Sequence, residues 1–487
     1  MSELKEENSY RNILKRLSAF GGVQIFNIII GILRGKFVAM FLGPAGMGIS
    51  SLFASSTAPM QQIGSLGLNL AMVKEISAAK DEPSRLRKTI AIVLKLLLAT
   101  SLFGTLICAI GAPLWSELSF GSHDYTISYF WLSIFVGLSI AGGGFLALLQ
   151  GLGEVRRLSK ASLVGGMAGL LFGVPLYYFF GDSGIVPAMI ILAFSSFLFY
   201  YISYRESPVA SGIDKKDASD KKETRQLIRK LISIGAILLI GSLVGQLVNY
   251  AINLFIRTTG SLDDVGLYQG ANSITNQYIG LIISALALDY FPRLSACASD
   301  GERMREVVNR QIEIVMLVGT PLIILLILTA PLLIRILLTN SFLVIVPLMR
   351  WLGLGMLIQL IAFPIGYIYI ARDDRKAYIW LECVWANVCW IGSSILFYYL
   401  FGLTGLGIGL TVRSIIDLII NFLFCRRRYA LRLSSKTLMI TFVTIVFSAS
   451  AFLLSFSENI LNYIFMTAIC ITSILYSINI LRKKIVS

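Results

Sequence analysis

The stretch GILRGKFVAMFLGPAGMG, Gly31 to Gly48, decides the fold. It starts inside an apolar run, Val23 to Leu42, that is long enough to cross ~30 Å of hydrocarbon at ~1.5 Å per residue. The run carries two cations, Arg34 and Lys36, and stops in Gly-Pro-Ala-Gly, residues that end a helix and turn the chain. A membrane helix, a hairpin and charge at membrane depth are therefore written side by side.

Outward from this stretch the pattern recurs. Of the 487 residues 56% are hydrophobic and 14% charged, and mean hydropathy is +0.78, too little charge to cover a soluble surface. Apolar segments lie at 18–42, 47–72, 89–111, 127–150, 162–180, 185–204, 231–256, 266–289, 311–331, 344–370, 377–400, 405–424, 438–455 and 461–481. The expected fold is an all-α polytopic membrane protein of about fourteen transmembrane helices. The first 17 residues are polar and mixed in charge, so no cleaved signal peptide is expected. Six scattered cysteines show neither zinc-ligand nor disulfide spacing and read as packing residues. Neither a metal site nor a catalytic group stands out.

The net charge of +15 follows the segments. Alternate gaps, beginning with the N-terminus, hold 35 of the 42 Lys and Arg, and the opposite gaps hold Arg257 and Arg335 alone. That asymmetry is the positive-inside signal, so both termini are expected in the cytoplasm and nucleic acid is not expected as a partner.

The chain is expected to divide into a cytoplasmic N-terminus (1–17), an N-lobe of six helices (18–204) and a cytoplasmic linker (205–230). A C-lobe of six helices (231–424) follows, then a basic loop with a final helix pair (425–487). The linker reading rests on its charge, its small residues and its lack of an apolar face. YYFFGDSGIVPA from Tyr177 aligns with YYLFGLTGLGIG from Tyr398, an offset of 221, as two six-helix pseudo-repeats would show.

Polar residues run in stripes. Gln24, Asn27, Gly31 and Arg34 share one helix face, as do Ser242, Gln246, Asn249 and Asn253. Gln269, Asn272, Ser273, Asn276 and Gln277 mark segment eight, and Ser51, Ser55, Gln62, Ser65 and Asn69 mark segment two. Such faces avoid lipid; they read either as interhelical hydrogen bonding or as the wall of a hydrated cavity between the halves. Arg34, Lys36, Arg350 and Arg413 lie six to eight residues from the outer segment ends, roughly 9–12 Å deep. Lys36 is ~200° around from Arg34, so both face one chamber only if the helix distorts near Gly35. Asp417, one turn beyond Arg413, reads as its ion-pair partner or as a titratable, ion-coupling carboxylate.

GKFVAMFLGPAGMGI from Gly35 and VGLYQGANSITNQYIGLIISALALDYFPRLS from Val265 resemble the Wzx-type O-antigen and lipid III flippases of the multidrug/oligosaccharidyl-lipid/polysaccharide exporter superfamily. Gly35, Lys36, Gly43, Pro44, Gly46 and Gly48 match the first motif; Gly266, Gln269, Gly270, Ser273, Pro292 and Leu294 match the second. The resemblance implies an inner-membrane transporter, not an enzyme. It would move undecaprenyl-pyrophosphate-linked oligosaccharide to the periplasmic leaflet by alternating access, with a polysaccharide polymerase and a chain-length regulator as partners. No cofactor is implied beyond a proton or sodium gradient. Arg34, Lys36, Arg350 and Arg413 would then meet pyrophosphate. Gln24, Asn27, Gln246, Asn249, Asn253, Gln269, Asn272 and Asn276 would meet sugar. The expected final helix pair departs from the twelve helices of many such flippases and is similar to the lipid II flippases. A lipid II-type flippase and a drug or cation antiporter are therefore the near alternatives. A membrane polymerase or glycosyltransferase would want a large outer loop with catalytic groups, and no outer gap exceeds about 16 residues.

Overall fold

The structure is a computed structural model that describes residues 2–208, 221–457 and 459–486. Among the described residues every regular element is a helix. They are α1 (Ser2–Ser65), α2 (Leu68–Ala78), α3 (Pro83–Ile110), α4 (Ala112–Phe120), α5 (Thr126–Gly151), α6 (Val155–Phe180), α7 (Ile185–Arg205) and α8 (Lys221–Thr259). There follow α9 (Leu262–Ala296), α10 (Gly301–Leu337), α11 (Val346–Ala371), α12 (Arg375–Tyr378), α13 (Ala386–Tyr429), α14 (Ser435–Leu454) and α15 (Ile460–Val486). Ten stretches among the described residues are long and apolar enough to cross a membrane. The chain is an all-α polytopic membrane protein.

Three of those stretches, Phe26–Ser65, Val155–Arg205 and Arg375–Tyr429, run through a break. The breaks fall at Gly43 (φ 67°, ψ −164°), Gly181 (φ 57°, ψ −134°) and Gly402 (φ 59°, ψ −142°). A Cβ disfavours this backbone region, which is why all three positions are glycine. Gly43 belongs to the Gly-Pro-Ala-Gly turn, which reverses the chain as its sequence says.

The pseudo-repeat holds at atomic detail. Gly181 and Gly402 share one conformation at the offset of 221. Three residues on, Gly184 and Gly405 each press against a carbonyl eight residues back, those of Leu176 and Phe397, closer than any Cβ could approach. The same loop, built twice, starts two helical hairpins.

By packing, the chain divides into a unit through Val265 and a unit from Gly266. In the first unit, α1 lies beside α6 and runs in the same sense: Asn27 meets Ser162, and Phe41 meets Tyr178 with ring centroids 5.4 Å apart. Gly46 admits the Asp182 carboxylate, which stands 2.9 Å from where a Cβ would sit. α8 packs in this unit too, along α1 and α2. Residues 221–230, assigned by composition to the linker, are its first turns. The apolar face that reading denied them is formed by Leu227, Leu231 and their half-buried neighbour Ile228, at helical spacing.

In the second unit, α10, α11 and α13 enclose a core that includes Tyr290, Ile312, Ile323, Leu360 and Tyr369, all fully buried. The Tyr290 hydroxyl donates to the Pro364 carbonyl at 2.6 Å, meeting a backbone group at the proline inside α11. The final pair, α14 and α15, is docked on α10 and contributes Phe452 and Met466 to that core. Polar groups pin it there. Asn309 donates to the Arg432 carbonyl at 2.9 Å and accepts from the Ser434 N–H at 2.8 Å, and Thr437 donates to the buried Glu313 at 2.7 Å.

Candidate functional site

A cluster of polar and aromatic groups in the second unit is built on the hairpin that α13 makes about Gly402. Trp390 lies twelve residues before that glycine and Arg413 eleven after, so the reversal brings them face to face, with the guanidinium carbon 5.1 Å from the indole centroid. The first-unit counterparts, Gly169 and Leu192, are a plain apolar contact. A cation and an aromatic platform thus replace packing residues in one copy of the repeat.

One turn on, Arg413 Nε donates to Asp417 Oδ2 at 3.1 Å; the two side chains are 16% and 14% exposed. That bond engages one of the guanidinium's three nitrogens. Among the described residues the two terminal nitrogens have no hydrogen-bond partner, and neither has the buried Asp417 Oδ1. The Trp385 indole N–H stands beside this carboxylate, also without a hydrogen bond, and the buried Tyr268 of α9 lies within electrostatic reach of Arg413. The terminal nitrogens form a planar two-pronged donor, the shape that takes a phosphate oxygen pair.

Arg350, expected at the same depth, points to another neighbour. It is 7% exposed and donates through Nη1 to the Ser455 carbonyl at 2.5 Å, at the C-terminal end of α14. A cation there satisfies a helix-end carbonyl and complements the helix dipole. Its Nε has no partner among the described residues.

In the first unit, Arg34 is half-buried, lies within electrostatic reach of the Tyr177 hydroxyl, and makes no hydrogen bond or ion pair among the described residues. α1 stays helical through Gly35, so Lys36, also half-buried, leaves the helix on another side. Asn27 is joined to Ser162 of α6 at 3.0 Å, which makes it interhelical glue. The Gln24 side chain lies outside the described residues. On α8, Gln246 and Asn249 are half-buried, while Asn253 is 1% exposed with neither amide atom hydrogen-bonded among the described residues. Ser242, on the same stripe, is hydrogen-bonded by Gln62.

On α9, Gln269 and Asn272 are half-buried, and Asn276, exposed, donates to Asn272 at 2.7 Å. The stripe residues therefore serve two ends: some tie helices together, and some keep free amide groups. Trp385, Trp390 and Tyr268 were not singled out from the sequence. The hairpin register about Gly402 was the signal that could have found Trp390.

The comparisons with known proteins agree with this anatomy. The chain is 24% identical over 359 residues to the lipid III flippase of Escherichia coli (strain K12), covering 72% of this chain and 83% of that one. It is 22% identical over 298 residues to a putative O-antigen transporter of Shigella flexneri, covering 59% and 68%. In fold it is similar to a multidrug resistance MATE family transporter of the MOP superfamily in an inward-facing conformation, with TM-score 0.72, 17% identity and coverage of 83% and 94%. It is also similar to the lipid II flippase MurJ, with TM-score 0.58, 14% identity and coverage of 97% and 100%. The model of one family, described as "Polysaccharide biosynthesis protein", matches residues 37–347, well over half of the sequence, and the chain belongs to that family.

Proposed function

We propose that this protein is a flippase. It carries undecaprenyl-pyrophosphate-linked oligosaccharide, an O-antigen or related surface-polysaccharide unit, across the bacterial inner membrane by alternating access. It spans the membrane fourteen times with both termini in the cytoplasm. The observation that carries the reading is the two-pronged donor of Arg413, held by Asp417 and backed by Trp390 at membrane depth. Pyrophosphate sheds water on its way across, and a planar cationic fork replaces that water better than a neutral group does. Arg34 offers a second cation without a competing acid. Amides of Gln246, Asn249, Asn253 and Gln269, with the Asn272–Asn276 pair, serve the sugar hydroxyls, and the polyprenyl tail stays in lipid. Asp417 retains Arg413 between cycles and is the candidate for coupling to a proton or sodium gradient. A polysaccharide polymerase and a chain-length regulator are the proposed receiving partners. Two deep cations, Arg34 and Arg413, against the one acid Asp417 disfavour a drug-cation antiporter, whose pocket needs the opposite sign.

The test is restoration of surface polysaccharide in a strain lacking its own flippase of this kind, normalised to membrane abundance. The wild-type chain restores it, and Arg413→Ala restores at most a tenth as much. Equal restoration by Arg413→Ala would show that the fork does not meet substrate.

A further inference from the structure

Away from the Gly402 turn, at the other end of the helix that follows it, α13 runs out into Arg426, Arg427 and Arg428, and the loop to α14 adds Arg432 and Lys436. This is the end that the charge asymmetry places in the cytoplasm. Acids there are few and committed. Asp373 and Asp374, in the turn between α11 and α12, are ion-paired to Arg375 at 3.2 Å and to Arg428 at 2.7 Å. Glu313 is buried and accepts from Thr437. Glu306 and Glu302, one and two turns before Asn309 on α10, ion-pair with none of the loop cations among the described residues. Arg426, Arg427, Arg432 and Lys436 are exposed, and among the described residues none has an ion pair or a side-chain hydrogen bond. Positive charge is in surplus.

A surplus by itself would only record topology. Two further features give it a shape. The loop is held: α13 stops at Ala430, which is left-handed (φ 53°), and the Leu431 that follows is fully buried. Asn309 then grips the loop at the Arg432 carbonyl and the Ser434 N–H. Ser434 caps α14, accepting from the Thr437 N–H at 3.0 Å. The cations stand on a fixed frame, and ordering them costs less on binding than ordering a loose tail would.

Each group of cations also heads a stripe of exposed apolar side chains. On α13, Ile416, Ile419 and Leu423 lead to Arg427 at spacings of 3, 4 and 4, one face of the helix. On α14, Met439, Phe442 and Val446 form another such face, which starts one turn in from Lys436. Cations at the rim above exposed hydrocarbon match an anionic lipid, with its phosphate at the head and its acyl chains below.

We propose that the α13–α14 loop is a docking surface for anionic phospholipid of the cytoplasmic leaflet. Arg426 and Arg427, with Arg432 and Lys436, take the phosphate groups, and the acyl chains lie along the two stripes. Bound lipid ties the loop, and through it the final helix pair, to the bilayer. The surface acts whatever the protein transports.

The experiment titrates phosphatidylglycerol or phosphatidylcholine, separately, into the full-length protein in detergent micelles and counts bound lipid by native mass spectrometry. Phosphatidylglycerol is expected to bind about fivefold or more tightly than phosphatidylcholine, and added salt weakens only the former. Arg427→Gln and Arg432→Gln each weaken phosphatidylglycerol binding about fivefold, the equivalent of ~1 kcal/mol per interfacial cation. Arg427→Lys and Arg432→Lys leave it unchanged, which separates lost charge from lost folding. Arg335→Gln, in the last turn of α10 at its opposite end from Asn309, leaves it unchanged too. Equal affinity for the two lipids, or phosphatidylglycerol binding indifferent to both Gln variants, would overturn the proposal.

Discussion

Arg413 holds Asp417 and still presents two nitrogens because the carboxylate approaches from one turn along the same helix and meets Nε alone. A lysine would have spent its single nitrogen there. Losing a charge-assisted hydrogen bond to phosphate costs ~1.5–3 kcal/mol, so Arg413→Ala is expected to weaken binding of undecaprenyl pyrophosphate roughly 10- to 150-fold. Arg413→Lys should recover part of this, measured by titration of the purified protein. Arg413→Ala also strands Asp417 among groups that cannot hydrate it, which is strongly destabilising. The double variant Arg413→Ala, Asp417→Asn is therefore expected to regain thermal stability without regaining transport, and recovery of both would make the pair purely structural. The four-residue spacing made the Arg413–Asp417 pair legible in the sequence. The allocation of Arg350 to the Ser455 carbonyl was not, because it depends on where α14 docks, and no periodicity records that.

At the scale of elements, hairpins read well and docking read poorly. Gly-Pro-Ala-Gly announced the first break, and the repeated YY-x-F-G-x-x-G matched the two others in backbone angle and in the carbonyl contact three residues on. Gly405→Ala is expected to prevent stable insertion, since its Cβ would lie inside the Phe397 carbonyl. Gly392→Ala, with open space around it, should be tolerated; comparable membrane levels of the two would refute the hairpin geometry. Arg350→Ala should lower the thermal midpoint and expose the end of α14 to protease before it slows transport. Below α12, Asp374 accepts from the Tyr429 hydroxyl at 2.8 Å, the Ala377 N–H at 3.2 Å and Arg428 Nε at 2.7 Å. These bonds, the Tyr429 one foremost, hold its carboxyl below the usual carboxylate range. A lowered folded pKa gives stability that is present above the unfolded value of ~3.9 and is lost as pH falls through the folded one. The turn between α11 and α12, which these bonds hold to the end of α13, is thus expected to resist protease unchanged from pH 7 to 5 and to loosen below about 4, with Asp374→Asn loose throughout.

For the whole molecule, composition and the charge asymmetry were enough to establish a polytopic helical membrane protein, because a bilayer forces long apolar helices and sorts cations to one side. The division at Val265 was harder to read: α8, expected to open the C-lobe, packs in the first unit along α1 and α2. Topology is checked with single cysteines in a background freed of the native six. Ser122→Cys and Ser183→Cys are expected to react with an impermeant thiol reagent from the periplasm, and Ser435→Cys is not; a reversed pattern would invert every assignment of inner and outer. Movement of a pyrophosphate-linked oligosaccharide is measured in proteoliposomes. The full-length protein is reconstituted with undecaprenyl-pyrophosphate oligosaccharide bearing a fluorophore on its sugar, and an impermeant quencher is added outside. The inner-leaflet pool, protected in empty vesicles, is expected to be drawn out and quenched with the wild-type protein and to stay protected with Arg413→Ala. Protection equal to that of empty vesicles with the folded wild-type chain, under either direction of an imposed proton or sodium gradient, would contradict it.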